Sequence, residues 1–201
     1  ICLVVSLFIA ALALGGLAYN VPSDTVTLPI GLPWVGGRFR VDVLSLFFQA
    51  VTNLGAAAAS LYALGYGRHE THPGRVLPFY PMFLAGMNVV LMADDAFSFL
   101  VAWEFMSLSS WALVLAHHHD PENRRAGYVY ILMASFGTFA LLLAFGLLAG
   151  PTGAYAFGDM RLAGHPEWLK GLVLALVLVG AGSKAGLVPL HVWLPLAHPA
   201  A

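Results

Sequence analysis

Residues 125–149 read Arg125-Ala-Gly-Tyr-Val-Tyr-Ile-Leu-Met-Ala-Ser-Phe-Gly-Thr-Phe-Ala-Leu-Leu-Leu-Ala-Phe-Gly-Leu-Leu-Ala149, with Asp120-Pro121 ahead and Gly150-Pro151 behind. No charged side chain follows Arg125 in this run. A helix crosses a hydrocarbon core of about 30 Å with about 20 apolar residues, which this run supplies. Further segments of the same kind are 1–18, 41–66, 76–93, 96–116 and 170–188, the last running into Pro189. Only helices and closed barrels satisfy their backbone groups in lipid, and no alternating strand pattern is present. The sequence therefore predicts an all-α fold: a polytopic transmembrane helix bundle with a discontinuous, Pro-broken sixth helix, in a single membrane domain spanning 1–201.

Composition agrees. Of 201 residues, 60% are hydrophobic and 9% charged, against about 25% charged in an average soluble domain; mean hydropathy is +0.82. So few polar residues cannot coat a soluble core, which excludes a disordered chain, a nucleic-acid binder and an ordinary soluble enzyme. The net charge of −1 implies no electrostatic partner, and the single cysteine, Cys2, excludes an internal disulfide framework. The chain starts Ile1-Cys-Leu-Val4 and stops at Pro199-Ala-Ala201, which reads as a fragment of a longer protein. Residues 1–18 resemble a secretory h-region, but the missing basic start argues against one.

The long Gly- and Pro-rich connections 19–40 and 150–170 fall on one side, and the shorter 67–75 and 117–124 on the other. Near helix ends, Arg68, Arg75, Arg124 and Arg125 face Arg38, Arg40, Arg161 and Lys170 across the membrane, so counting charges leaves the orientation undecided. Tyr19, Trp34, Tyr66, Tyr128 and Trp168 read as interface anchors. Asp42 and Asp95 suit the starts of the second and fourth helices. With Asp94 they are expected at helix ends that water can reach. Gln49, Asn53 and Asn88 read as polar glue between helices.

Two charges fall where lipid should be. Glu104 is near the middle of the fourth segment, and Lys184 lies in the sixth within Gly182-Ser-Lys-Ala-Gly186. Each costs about 2.5–3.5 kcal/mol at a helix centre, and such residues usually face the bundle interior on an ion or proton path. A structural ion pair is the bland alternative, but apolar packing could usually replace it without loss. The two are expected to face each other, within about 4–6 Å or through water, so that the carboxylate acts on the lysine's protonation. Ser107 and Trp111 share the helix face of Glu104. Small residues around Lys184 allow a neighbouring backbone to come close. Pro189 and Pro195 remove helical donors for the carbonyls of Ala185 and His191, which predicts a broken helix of the kind that lines binding sites in transporters. His191 can relay protons, whereas His198 reads as interfacial. His117-His118-His119-Asp120 has the composition of a metal site but the wrong spacing, and no metal is expected.

Leu91-Met-Ala-Asp-Asp95 with Leu100-Val-Ala-Trp-Glu-Phe-Met-Ser-Leu-Ser-Ser110 resembles two successive helices of the antiporter-like proton-pumping subunits of respiratory complex I, multisubunit cation/proton antiporters and membrane-bound hydrogenases. Gly182-Ser-Lys-Ala-Gly-Leu-Val-Pro-Leu-His-Val-Trp-Leu-Pro195 resembles the broken seventh helix of that family. The Trp-Glu-Phe-Met-Ser-Leu and Leu-His-Val-Trp-Leu-Pro forms are most similar to hydrogenase-4 and formate hydrogenlyase component B. The resemblance implies that Glu104 and Lys184 form the coupling pair of a proton half-channel and that 117–124 is cytoplasmic. It also implies other membrane subunits and peripheral redox subunits as partners, in the inner (cytoplasmic) membrane. Asp95 stands where the family usually has Asn, and Leu196 where an acidic residue usually follows. No haem, flavin or iron–sulfur motif is present, so no cofactor and no redox active site are expected in this chain. The alternatives are a Na⁺/H⁺ antiporter subunit, and an intramembrane metalloenzyme using the histidines.

Overall fold

The computed structural model describes residues 1–67 and 73–200, without the side chain of Tyr66; the roles expected of Arg68 and of the Tyr66 ring lie outside the described residues. The helices are α1 (Cys2–Ala18), α2 (Val43–Tyr66), α3 (Phe79–Met92), α4 (Ala96–Val114), α5 (Pro121–Ala149), α6 (Phe157–Leu162), α7 (Glu167–Ala185) and α8 (Leu194–Ala200). Among the described residues, five helical stretches are long and apolar enough to cross a membrane: Val43–Gly65, Pro73–Met92, Ala96–Val114, Pro121–Thr152 and Glu167–Ala200. The remaining expected span, α1, is not among them: it is apolar, but its 17 residues make it a shorter helix. Large apolar side chains such as Phe8, Leu143 and Leu178 point outward, as a lipid-facing surface requires.

Helix starts follow capping chemistry. The Asp42 carboxyl accepts the Ser45 N–H at 2.9 Å, Asp95 that of Ser98 at 2.7 Å and Asp120 that of Glu122 at 2.8 Å. Pro121 follows Asp120 at the first helical position, where no N–H is needed, so α5 starts ahead of the expected Arg125.

The all-α expectation holds for the spans and misses one small element. Residues 19–40 are not a plain loop: β1 (Asp24–Leu28) pairs antiparallel with β2 (Gly37–Val41). The hairpin folds over the α3–α4 turn. The N–H of Asp94 donates to the Arg38 carbonyl at 2.8 Å, and the 150–170 connection reaches the same turn, where Ala96 N–H donates to Tyr155 and Phe157 N–H to Asp94. This corrects the expectation of water-accessible aspartates. Asp94 and Asp95 are 5% and 0% exposed, because two connections too irregular to read from the sequence close over them. Asp42, half-buried, keeps its expected place at a helix start.

Inside the bundle, small residues bring helices together. A Cβ on Gly137 of α5 would come 2.0 Å from Ser183 Oγ and 2.9 Å from the Gly180 carbonyl of α7. Asn53 Nδ2 donates to Asn88 Oδ1 at 2.7 Å and so joins α2 to α3, as expected. Gln49 takes part through its backbone carbonyl, which accepts from the same amide at 2.9 Å.

Candidate functional site

The predicted break is present. α7 stops at Ala185, where Gly186 adopts the left-handed conformation (φ 73°) that glycine tolerates. The Gly182 carbonyl accepts the Leu187 N–H at 2.9 Å. A 3-10 turn, Leu190–Trp193, follows Pro189, and α8 starts at Leu194. Pro195 sits in the first turn of α8, so it opens that helix rather than interrupting one. The His191 carbonyl, expected to lack a donor, takes the Leu194 N–H. The Ser183 carbonyl is taken by the Trp193 indole N–H at 2.7 Å.

Lys184 occupies the last turn before this break. Its ammonium donates to Ser107 Oγ of α4 at 2.8 Å and to the Tyr130 hydroxyl of α5 at 3.0 Å. It also lies 5.8 Å from the Trp103 ring and 5.4 Å from the Tyr130 ring, within the reach of cation–π attraction. Ser107 is fully buried and Tyr130 is 3% exposed. The Tyr130 ring meets Trp193 edge-on at 5.2 Å, which ties the cage to the broken segment.

Glu104 is half-buried and accepts a hydrogen bond from the Thr138 hydroxyl of α5. It borders a shallow groove of about 440 Å³ with Leu100, Phe105, Leu108 and Leu142. Among the described residues, no ion pair of 4.0 Å or less joins Glu104 to Lys184. The structure gives the two charges separate neutral partners and links them through α4: Ser107, which holds the lysine, follows Glu104 by three residues, about 4.5 Å along the helix.

A cavity of about 390 Å³ is lined by Lys184, Tyr130, Ser110, Tyr80, Trp193 and His198. His191 stands in the 3-10 turn, half-buried, and its Nδ1 is buried without a hydrogen-bond partner. The His117–Asp120 stretch is a turn between α4 and α5. There Arg75 approaches His118 Nδ1 at 3.5 Å, and Arg124 reaches the carbonyls of His118 and His119. Among the described residues no group of three or more His, Cys, Asp or Glu side chains could hold a metal. Of the expected anchors, Tyr19, Trp34, Tyr128 and Trp168 are exposed.

Sequence reading missed Tyr130, Thr138 and the Trp103 ring as parts of the site. A signal existed for Tyr130. It falls in a stripe of small buried residues on α5, with Ala126, Gly127, Ala134, Gly137 and Ala144, and a tyrosine on such a face needs a polar partner inside.

An ammonium inside a multi-pass helix bundle, one turn before a broken helix, defines an antiporter-like membrane protein. Residues 93–201 match the family described as NADH:quinone oxidoreductase/Mrp antiporter, TM, and the chain belongs to that family. It is 40% identical over 194 residues to a Mycobacterium tuberculosis protein, covering 96% of this chain and 30% of the relative. It is 40% identical over 164 residues to hydrogenase-4 component B of Escherichia coli, covering 81% and 24%. The fold resembles a chain in the structure of the Mrp complex from Dietzia sp., with a TM-score of 0.80 at 24% identity over 99% of this chain and 38% of that one. The chain thus spans between about a quarter and two fifths of the length of these relatives.

Proposed function

We propose that this chain, a single transmembrane domain over residues 1–201, is the Lys184-bearing part of a proton-translocating subunit of a respiratory-type oxidoreductase complex in the inner (cytoplasmic) membrane. On this reading the complex is of the hydrogenase-4/formate hydrogenlyase or NADH:quinone oxidoreductase kind. Redox chemistry then belongs to peripheral partner subunits, and this chain carries protons without a cofactor of its own. Lys184 takes and releases the proton, Glu104 couples it to its surroundings, and His191 serves the broken segment framed by Pro189 and Pro195.

The observation that carries this reading is the ammonium of Lys184, held inside the bundle by two neutral hydroxyls and opening onto a cavity. A structural charge is normally matched by an opposite one. A charge resting on neutral groups can lose its proton without leaving an unpaired partner behind. Burial and a nearby carboxylate act on a lysine in opposite senses, so movement of Glu104 relative to Lys184 would load or release the proton.

A Na⁺/H⁺ antiporter subunit is the second reading, supported by the family description, which names both kinds of protein. Transport that requires Na⁺ would favour it.

The test is proton pumping by the assembled complex. Glu104→Gln and Lys184→Met each lower pumping several-fold or more, and the double variant loses little more than either alone, as expected for a coupled pair. Wild-type pumping in both single variants overturns the proposal.

A further inference from the structure

The two hydroxyls that hold Lys184 are not equivalent. Ser107 Oγ donates its only proton to the Trp103 carbonyl at 2.8 Å, so toward Lys184 it can only accept. Tyr130 also accepts from Lys184, but among the described residues no protein acceptor takes the phenolic proton itself. Tyr130 lines, with Lys184, the cavity that Ser110, Tyr80 and His198 also line. Ser107, fully buried on α4, is not among the residues that line it.

We infer that Tyr130 is the proton relay between Lys184 and this cavity, while Ser107 is a fixed tether; the inference rests on the function proposed above. In the unloading step the phenolic O–H bond breaks toward a cavity water. A new O–H bond forms with the proton from the Lys184 ammonium, and the N–H bond breaks. Tyr130 ends unchanged, Lys184 ends as the neutral amine, and one proton has reached water. The phenol then turns to donate to the amine's lone pair, which Ser107 cannot do without giving up Trp103. Loading is the reverse. Trp193, edge-on to the Tyr130 ring and anchored on Ser183, keeps the phenol in place. The other titratable groups around the cavity are Tyr80 of α3 and His198 of α8, with Glu104 one turn from Ser107 on α4.

The experiment measures initial proton-pumping rates across a pH series, with redox turnover, for the full-length protein in its membrane complex. Tyr130→Phe keeps the ring and the tether but lowers pumping about 100-fold, the low end for a proton-transfer step. Ser107→Ala lowers it by about 13-fold, the low end for one hydrogen bond to a charged group. Tyr130→3-fluorotyrosine, of the same shape with a more acidic phenol, retains pumping and moves its pH profile to lower pH. An unmoved profile overturns the relay, and this arm decides alone should Tyr130→Phe fail to assemble. Equal losses from Tyr130→Phe and Ser107→Ala overturn it too. Inactive Lys184→Met beside wild-type Tyr130→Phe removes only this inference. Wild-type pumping in Lys184→Met removes the proposed function as well.

Discussion

The aspartate knot under the hairpin and the lysine cage in mid-bundle are both buried polar clusters, built in different ways. In the knot, partners are committed. Asp95 accepts backbone N–H groups with both oxygens, Ser98 at 2.7 Å and Arg38 at 2.8 Å. Arg40 bridges Asp94 at 3.4 Å and Asp42 at 3.2 Å. In the cage, among the described residues, Lys184 meets neutral hydroxyls and aromatic faces. A carboxyl locked by two backbone donors fixes a connection. An ammonium held by hydroxyls is in place without an opposite charge committed to it. The difference separates groups that hold the fold from the group to which the proposed function assigns the proton.

The knot also accounts for a departure from the resembled family. An Asn at position 95, in this orientation, would turn its NH₂ toward one of the two N–H donors, Ser98 or Arg38, that now bond separate oxygens. Asp suits a site with two backbone donors. Leu196, the other departure, is 36% exposed on α8, where His198 is the one titratable side chain among the described residues of that helix.

The largest effect on stability is expected at the knot. Asp95→Ala strands two buried N–H donors at about 1–3 kcal/mol each. The folded protein should lose about 2–5 kcal/mol in thermal unfolding in detergent, and Asp95→Asn about half of that. Full stability in Asp95→Ala with abolished pumping would break the comparison, because the knot would then belong to the transport machinery.

At the α5–α7 crossing beside the cage, Gly137→Ala drives a methyl into Ser183 and the Gly180 backbone. Overpacking of this kind costs about 1–3 kcal/mol. Since Lys184 neighbours Ser183, pumping should fall by more than stability alone predicts; unchanged pumping in a destabilised variant would show that the cage tolerates a shift of α7.

The smallest effect belongs to Asp42. The Ser45 backbone N–H holds its carboxyl below the ordinary aspartate value of 3.8; burial opposes this, and the Ser45 hydroxyl and Arg40 add to it. A lowered folded pKa contributes stability that is present above pH 3.8 and lost as pH falls through the folded value. Asp42→Ala should cost about 1 kcal/mol at neutral pH and flatten the acid limb of a stability–pH curve below 3.8. An acid limb identical to wild type would assign it to other carboxyls.

Five of the six spans, the caps at Asp42 and Asp95, the role of Asn53 and Asn88 as polar glue and the break after Lys184 were legible in the sequence. Each is dictated locally: by the length of an apolar run against bilayer thickness, by side chains that reach their own backbone, and by residues that cannot continue a helix. Glu104 and Lys184 stood out because charge is costly in lipid wherever it falls. Tertiary structure alone decided who their partners are. Tyr128 and Tyr130 show why: two positions apart on one helix, they lie 67% and 3% exposed, because successive side chains turn about 100° around the axis and only one face of α5 meets α7. The same holds for Asp94 and Asp95. Their burial depends on two connections, distant from each other in sequence, that close over the α3–α4 turn, and no local pattern encodes which loops will meet.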